Sequence, residues 1–152
     1  MGRLSVTTNT SPSPDEVVEL QDVLRGAGLR STAARMSVLQ RLRKAKSPLS
    51  HAELADELMP LGFDKATIFR NLGDLTDAGL VLRTELGDHV WRFEVRDPSH
   101  ADDGKHPHFV CVECGSVTCL GSLNLTPKLK DVSSQVGRVT EVLLRGHCKK
   151  CE

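Results

Sequence analysis

Two pairs of cysteines are the residues whose spacing most clearly predicts chemistry. Cys111 and Cys114 form one C-x-x-C unit, and Cys148 and Cys151 form a second, with 33 residues between the units. Each unit on a tight turn can present two thiolates to one side of an ion, and two units complete the tetrahedron of a closed zinc site. We therefore predict a structural Zn²⁺ on Cys111, Cys114, Cys148 and Cys151; a disulfide-bonded form and an iron–sulfur cluster are the alternatives.

A single C-x-x-C unit also occurs in thiol–disulfide redox proteins, which form an alternative from an unrelated class. Such proteins place the motif in a thioredoxin-like βαβ context, which this sequence does not predict. The sequence also shows no nucleophile–base pair, phosphate-binding loop or nucleotide fingerprint. We therefore predict that the protein is not an enzyme and has no catalytic residues.

A second group of potential metal ligands surrounds the first cysteine pair. His106 and His108 are separated by one residue, Glu94 precedes them, and Cys119 is the fifth cysteine. Two histidines so spaced on an extended segment can chelate one ion, and His with Glu or Cys suits Zn²⁺ or Fe²⁺. Taken singly, each residue has an ordinary explanation, because a lone His is usually a surface residue and a lone Cys a small buried hydrophobe.

The elements that must position these groups fall into two small domains. Residues 1–14 are rich in Ser, Thr and Pro and predict a flexible tail. Apolar residues then recur with helical spacing in four segments, the third of which starts with the capping box Ser50-His51-Ala52-Glu53. Residues 81–95 change to the pattern of a β-hairpin. Helices followed by a two-stranded wing predict a winged helix-turn-helix.

The remainder of the chain predicts a small α/β domain that carries both cysteine pairs. Strands are expected at Phe109–Cys111, Val117–Leu120 and Val139–Leu144, with a helix near Pro127–Val136. The predicted fold class is thus α+β. The predicted boundaries are 15–86 for the winged-helix domain, 87–107 for a hinge and 108–152 for the second domain.

The chain is neutral overall but basic locally. Twenty Lys and Arg balance twenty Asp and Glu, which argues against a nucleic-acid partner. Between Asp22 and Glu53, however, there is no acidic residue. We name these 30 residues the basic window. It holds seven basic residues: Arg25, Arg30, Arg35, Arg41, Arg43, Lys44 and Lys46. We expect this basic stretch over the second helix to meet DNA phosphates, although most charge runs are merely solvated helix faces.

The predicted fourth helix carries the residues that we expect to read double-stranded DNA. Its N-terminal turns, with Lys65, Thr67, Arg70 and Asn71, would enter the major groove. Arg70 could pair bidentately with guanine or bind phosphate, and both options stay open. Aromatic residues make up only 3% of the chain, so a stacking platform for single-stranded nucleic acid is not expected.

The cellular location follows from what the sequence lacks. No apolar run approaches the roughly 18 residues of a membrane span, and the N-terminus has no apolar signal-peptide core. We expect a cytoplasmic protein with no membrane partner. In that reducing compartment, clustered cysteines favour metal over disulfides.

In combination, these motifs resemble the Fur family of metal-responsive bacterial transcription regulators. The similar strings are H-x-H-x-x-C-x-x-C-G at 106–115, C-x-x-C at 148–151, A-T-I-F-R-N-L at 66–72 and D-A-G-L-V at 77–81. The resemblance covers about residues 15–151. It implies a homodimer formed by the C-terminal domains, two winged helices on a palindromic operator, and a regulatory metal at the hinge.

The resemblance also implies site residues. The regulatory ligands of the family fall on or near Glu94, His106, His108, Cys119 and His51, with His89 and His100 as substitutes at the hinge. His51 sits a few residues later than the usual His, and Cys119 replaces the common Glu. The usual T-V-Y-R appears as Thr67-Ile68-Phe69-Arg70, without the Tyr hydroxyl. The predicted DNA-binding residues are Arg35, Lys65, Thr67, Phe69, Arg70 and Asn71.

The identity of the regulatory metal is predicted from Cys119. A thiolate favours Zn²⁺, which accepts mixed N/S/O ligands, over Fe²⁺ or Mn²⁺. We therefore expect a zinc-responsive repressor of metal-uptake genes, with an iron-responsive Fur-type repressor as the alternative. A peroxide sensor is less favoured, because that branch usually places Asp where Glu94 stands.

Overall fold

The computed structural model describes residues 11–96, 106–121, 131, 134–137 and 141–152. The chain begins with helices α1 (Pro14–Gly26) and α2 (Ala33–Lys44), followed by the short strand β1 (Leu49–Ser50). Next come α3 (His51–Leu58), a 3₁₀ turn (Met59–Leu61), α4 (Lys65–Asp77) and the hairpin β2 (Val81–Glu85) and β3 (Trp91–Val95). Strands β4 (His108–Cys111), β5 (Val117–Cys119) and β6 (Leu143–Gly146) complete the order.

Each α-helix begins at a side chain that satisfies a free backbone N–H. Ser13, Thr32, Ser50 and Asp64 each accept a hydrogen bond from the N–H three residues later. At α3 the Glu53 side chain also accepts from the Ser50 N–H, which confirms the predicted capping box.

The four helices and the hairpin enclose one apolar core. Its buried residues come from all four helices, β2 and β3: Leu20, Leu24, Val38, Leu39, Leu42, Leu54, Ala55, Leu58, Ile68, Leu72, Leu75, Val81 and Phe93. Because the helical positions recur three or four residues apart, the same periodicity that predicts each helix places these side chains inward. The result is the predicted winged helix-turn-helix.

The wing is a three-stranded sheet rather than the expected two-stranded one. The strand order is β1-β3-β2, and β1 pairs antiparallel with β3 through Leu49 opposite Phe93 and Ser50 opposite Arg92. Two residues between Pro48 and a helix carry no strand pattern, so β1 could not be recognised in the sequence. Strand β3 falls within the range 87–107 predicted as hinge, and it pairs with both neighbours in this sheet.

The second sheet has the order β5-β4-β6. Strands β4 and β5 are antiparallel, with His108 opposite Cys119, and β4 and β6 are parallel, with Cys111 opposite Gly146. Strand β6 begins at Leu143, later than the predicted Val139, and residues 138–140 lie outside the described part. Of the predicted helix near Pro127–Val136, the described residues 131 and 134–136 are helical.

The predicted α+β class is therefore confirmed. Among the described helices, none combines the length and apolar character that a bilayer crossing requires.

Candidate metal centres and DNA-facing surface

The two cysteine pairs meet at one end of the second sheet. Cys111 ends β4, Cys114 follows in the turn, and the Cys148 pair comes just after β6. The four Sγ atoms lie within 4.8 Å of one another, and the Sγ atoms of Cys114 and Cys148 are 3.8 Å apart. Around a tetrahedral zinc with Zn–S bonds of about 2.3 Å, sulfurs are about 3.8 Å apart. No disulfide links these cysteines, and the cluster fits a structural Zn²⁺.

Hydrogen bonds in the loops lower the pKa of both cysteines of the first pair, which favours their thiolate forms. Hydrogen bonds from the backbone N–H groups of Cys114 and Cys148 lower the pKa of Cys111 to about 6. Hydrogen bonding to Ser116 lowers the pKa of Cys114. A hydrogen bond with Cys148 raises the pKa of Cys151 to about 12. Because ligating sulfurs must be deprotonated, metal binding here releases protons.

A second convergent group joins the two sheets. Glu94 comes from β3, His106 from the segment just before β4, His108 from the first position of β4, and Cys119 from the end of β5. The Nε2 atoms of His106 and His108 lie 3.2 Å and 3.3 Å from the two carboxylate oxygens of Glu94. The four ligand atoms all lie within 4.8 Å of one another. We call these residues the hinge cluster.

Unpaired polar atoms in the hinge cluster point to a cation. His108 is 1% exposed, yet neither of its ring nitrogens has a hydrogen-bond partner among the described residues. The buried Oε1 of Glu94 is also unpaired, although it lies close to the His108 ring. Such buried, unsatisfied groups are rare because each costs about 1–3 kcal/mol. An ion coordinated by these atoms would remove that cost, so the hinge cluster fits a metal.

Cys119 sets the chemical character of the hinge cluster. Burial raises the pKa of its thiol, and the nearby Glu94 charge adds to the rise. With one sulfur, two imidazoles and a carboxylate, the donor set matches the mixed ligands that zinc accepts.

The other predicted regulatory ligands lie elsewhere. The Nε2 atom of His51 is 3.0 Å from the Lys65 carbonyl oxygen, and its ring contacts Phe69 rather than the hinge cluster. His89 is exposed in the wing turn at a φ of 59°. His100 lies outside the described residues. The structure therefore brings together Glu94, His106, His108 and Cys119, but neither His51 nor His89.

Some of the residues predicted to read DNA are exposed, and others are buried or hydrogen-bonded within the domain. Lys65 and Arg70 are exposed on α4, and Phe69 retains 64% of its accessible surface. Thr67 caps the helix together with Asp64, to which its hydroxyl donates a hydrogen bond of 2.9 Å. Asn71 is only 6% exposed and points to the core side of α4.

Acidic residues from neighbouring helices pair with much of the basic window. Four of its seven basic residues form ion pairs: Arg35 with Asp74, Arg41 with Glu57, Arg43 with Glu19, and Lys44 with Glu16. The predicted DNA contact Arg35 thus lies against α4 and also donates to the Arg30 carbonyl. The positive charges of Lys65 and Arg70 on α4 are therefore more accessible than most of those on α2.

One exposed pair on the wing was missed in the sequence. The Arg83 guanidinium stacks over the Trp91 ring at 4.1 Å from its centroid, and Trp91 is 48% exposed. The only tryptophan of the chain, placed near the turn of a predicted polar hairpin, is the signal that could have drawn attention to it.

Comparison with known proteins agrees with this geometry. The chain matches the model of the ferric uptake regulator family over residues 26–142. It is 33% identical over 117 residues to the ferric uptake regulation protein of Pseudomonas aeruginosa, covering 75% of this chain and 84% of that protein.

Solved structures give the same result for the fold. The crystal structure of the Vibrio cholerae ferric uptake regulator is similar with a TM-score of 0.67 and 28% identity, covering 84% of this chain and 98% of that chain. A zinc uptake regulator complexed with zinc and DNA is similar in fold, with a TM-score of 0.58, 17% identity and coverage of 93% and 96%. The family prediction is confirmed: the chain belongs to the ferric uptake regulator family and is a metal-dependent transcription regulator, not an enzyme.

Proposed function

We propose that this protein is a cytoplasmic, homodimeric, zinc-responsive repressor that binds a palindromic operator in double-stranded DNA and controls genes of metal uptake. The observation that carries the proposal is the hinge cluster. Glu94 comes from the wing sheet, and the other three donors come from the second sheet or the segment directly before it, so the four donors occupy both halves of the molecule.

The hinge cluster supports a regulatory role because of where its donors lie. Glu94 belongs to β3, which pairs with β2 in the wing, whereas His108 and Cys119 face each other across β4 and β5. An ion held by all four residues favours arrangements in which the two sheets keep this separation. Metal then shifts the population toward one wing orientation by its differential affinity for that state.

The donor set supports zinc as the regulatory metal. A thiolate ligand is soft and suits Zn²⁺, whereas Fe²⁺ and Mn²⁺ prefer nitrogen and oxygen donors. Iron remains the second candidate because the Pseudomonas aeruginosa relative is named a ferric uptake regulation protein. The single substitution that separates the two is therefore at Cys119.

The exposed face of α4 supports recognition of duplex DNA. Lys65, Phe69 and Arg70 lie at its N-terminal turns, which is the part of a recognition helix that contacts base edges. A symmetric dimer presents two such helices, and two half-sites related by the same symmetry form a palindrome.

The test is DNA binding at buffered concentrations of free Zn²⁺, Fe²⁺ and Mn²⁺, with a duplex selected from randomised DNA by the zinc-loaded protein. We expect Zn²⁺ to activate binding at the lowest free concentration. The Cys119→Ser variant should need at least tenfold more zinc while its cysteine cluster keeps one zinc per chain. Thr118→Ala, an exposed neighbour on β5, is the matched control. Activation by Fe²⁺ but not by physiological free Zn²⁺ would contradict the zinc assignment.

A further inference from the structure

His51 lies where α3 meets the start of α4. It is the first residue of α3 and lies inside the capping box, directly after the N-cap Ser50, whose N–H donates to the Glu53 carboxylate over 2.7 Å. That box fixes the backbone of the first turn of α3. The imidazole of His51 therefore projects from a rigid point beside the helix that faces DNA.

Two contacts connect this imidazole to α4. Its Nε2 atom is 3.0 Å from the carbonyl oxygen of Lys65, the first residue of α4. A carbonyl oxygen only accepts hydrogen bonds, so Nε2 carries the proton and donates it. The ring also meets Phe69 edge to face, with centroids 5.6 Å apart and an interplanar angle of 90°, a favoured arrangement for aromatic pairs.

Phe69 is unusual for an aromatic residue because 64% of its surface is exposed. The opposite face of α4 carries the buried Ile68 and Leu72, so the Phe69 ring stands on the side away from the core. An exposed ring without a neighbour would exchange between rotamers, and each rotamer lost on binding lowers affinity. The contact with the His51 ring restricts that exchange before any ligand arrives.

We infer that His51 is a positioning residue that holds the Phe69 ring outward, where the ring contacts the 5-methyl group of a thymine in the major groove. Phe is one of the side chains that make apolar contact with this methyl group. The inference rests on the proposed DNA binding. It assigns His51 to DNA recognition and not to the hinge cluster, from which the structure separates it.

The test replaces the thymines of the selected duplex one at a time by uracil, which removes only the methyl group. The wild type should lose about three- to fivefold in affinity at one thymine per half-site, the effect of one buried methyl. Phe69→Ala should bring the thymine-to-uracil affinity ratio to one. His51→Ala and His51→Gln should both reduce the ratio by at least half, although Gln can still donate to the Lys65 carbonyl. Asp56→Asn, exposed on the same helix, should keep the wild-type ratio.

Metal content and thermal unfolding of each variant complete the experiment. We expect His51→Ala to keep the wild-type zinc per chain and His51→Gln to keep the wild-type unfolding midpoint. An unchanged thymine-to-uracil ratio in both His51 variants overturns the inference, as does the absence of any methyl effect in the wild type. Loss of one zinc per chain in His51→Ala also overturns it. If the wild type selects no duplex at any metal concentration, the proposed function itself fails.

Discussion

Two arginines that look alike in the sequence have different surroundings. Arg35 has a side chain only 13% exposed and forms an ion pair with Asp74 of α4, whereas Arg70 stands on the exposed face of that helix. A paired and largely buried guanidinium stabilises the contact between helices, but a free one can bind a phosphate or a guanine. We therefore expect Arg35 to contribute to the stability of the fold and Arg70 to contribute to DNA recognition.

We predict opposite effects for their alanine variants. Arg70→Ala should lower affinity for the selected duplex by about 1–3 kcal/mol, or roughly 5- to 150-fold, and leave zinc content and unfolding temperature unchanged. Arg35→Ala should lower the free energy of unfolding by about 1–2 kcal/mol because it removes hydrogen bonds to Asp74 and the Arg30 carbonyl. Anisotropy titrations and thermal melts measure both. Wild-type DNA affinity in Arg70→Ala would mean that α4 is not the recognition helix.

At the scale of elements, a contact outside the hinge cluster also connects the wing to the second sheet. The Arg145 guanidinium of β6 donates a hydrogen bond of 2.7 Å to the Leu86 carbonyl at the end of β2. The same guanidinium lies so close to Gly87 that a Cβ atom there would overlap Nη2. Gly87 has a φ of +84°, which favours glycine for a second reason.

Gly87→Ala tests this contact against a matched control. Gly28 also has a positive φ, +77°, but a Cβ there would meet nothing within 4 Å. Gly28→Ala should cost about 1 kcal/mol of stability from backbone strain alone. Gly87→Ala should cost more, because the Arg145 guanidinium must move away and lose its hydrogen bond to the Leu86 carbonyl, and the excess should disappear when Gly87→Ala is made in the Arg145→Ala variant. Thermal melts of the wild type, the three single variants and the double variant measure the difference; equal losses in both glycine variants would show that Arg145 does not constrain the wing.

At the scale of the whole molecule, the two halves are stabilised differently. The winged helix has its own apolar core of helix and strand residues, whereas the buried side chains of the second sheet, among the residues that the structure describes, are Val110, Cys111 and His108. A small sheet of this kind depends on its metal, because the binding free energy of a structural zinc is also folding free energy.

Removal of the structural zinc should therefore unfold one half first. In Cys111→Ser, or after strong chelation, backbone amides of 108–121 and 141–152 should lose most of their hydrogen-exchange protection, while α1–α4 keep theirs. Mass spectrometry of peptides after exchange measures both. Simultaneous loss of protection in both halves would show that the winged helix does not fold independently of the zinc cluster.

Local signals made most of the elements predictable. The N-caps, the apolar periodicity of the helices and the C-x-x-C units depend on residues close in the chain. The spacing of His106 and His108 indicated a chelating pair, whereas the full hinge cluster with Glu94 and Cys119 came from the family resemblance. The pairing of Arg35 with Asp74 joins residues 39 positions apart, and β1 forms only because β3 lies beside it. Contacts of this kind depend on how the helices pack. The basic window therefore looks like a free positive surface in the sequence, but ion pairs in the fold engage four of its seven basic residues.

The central claim is that Glu94, His106, His108 and Cys119 together bind one regulatory ion. Its most direct test is the absorption spectrum of protein whose cysteine cluster holds zinc and to which one equivalent of Co²⁺ is added. We predict tetrahedral d–d bands and a thiolate-to-cobalt charge-transfer band, with the charge-transfer band lost in Cys119→Ser and kept in Thr118→Ala. If the added Co²⁺ binds without the thiolate band, or does not bind at all, the result contradicts the account.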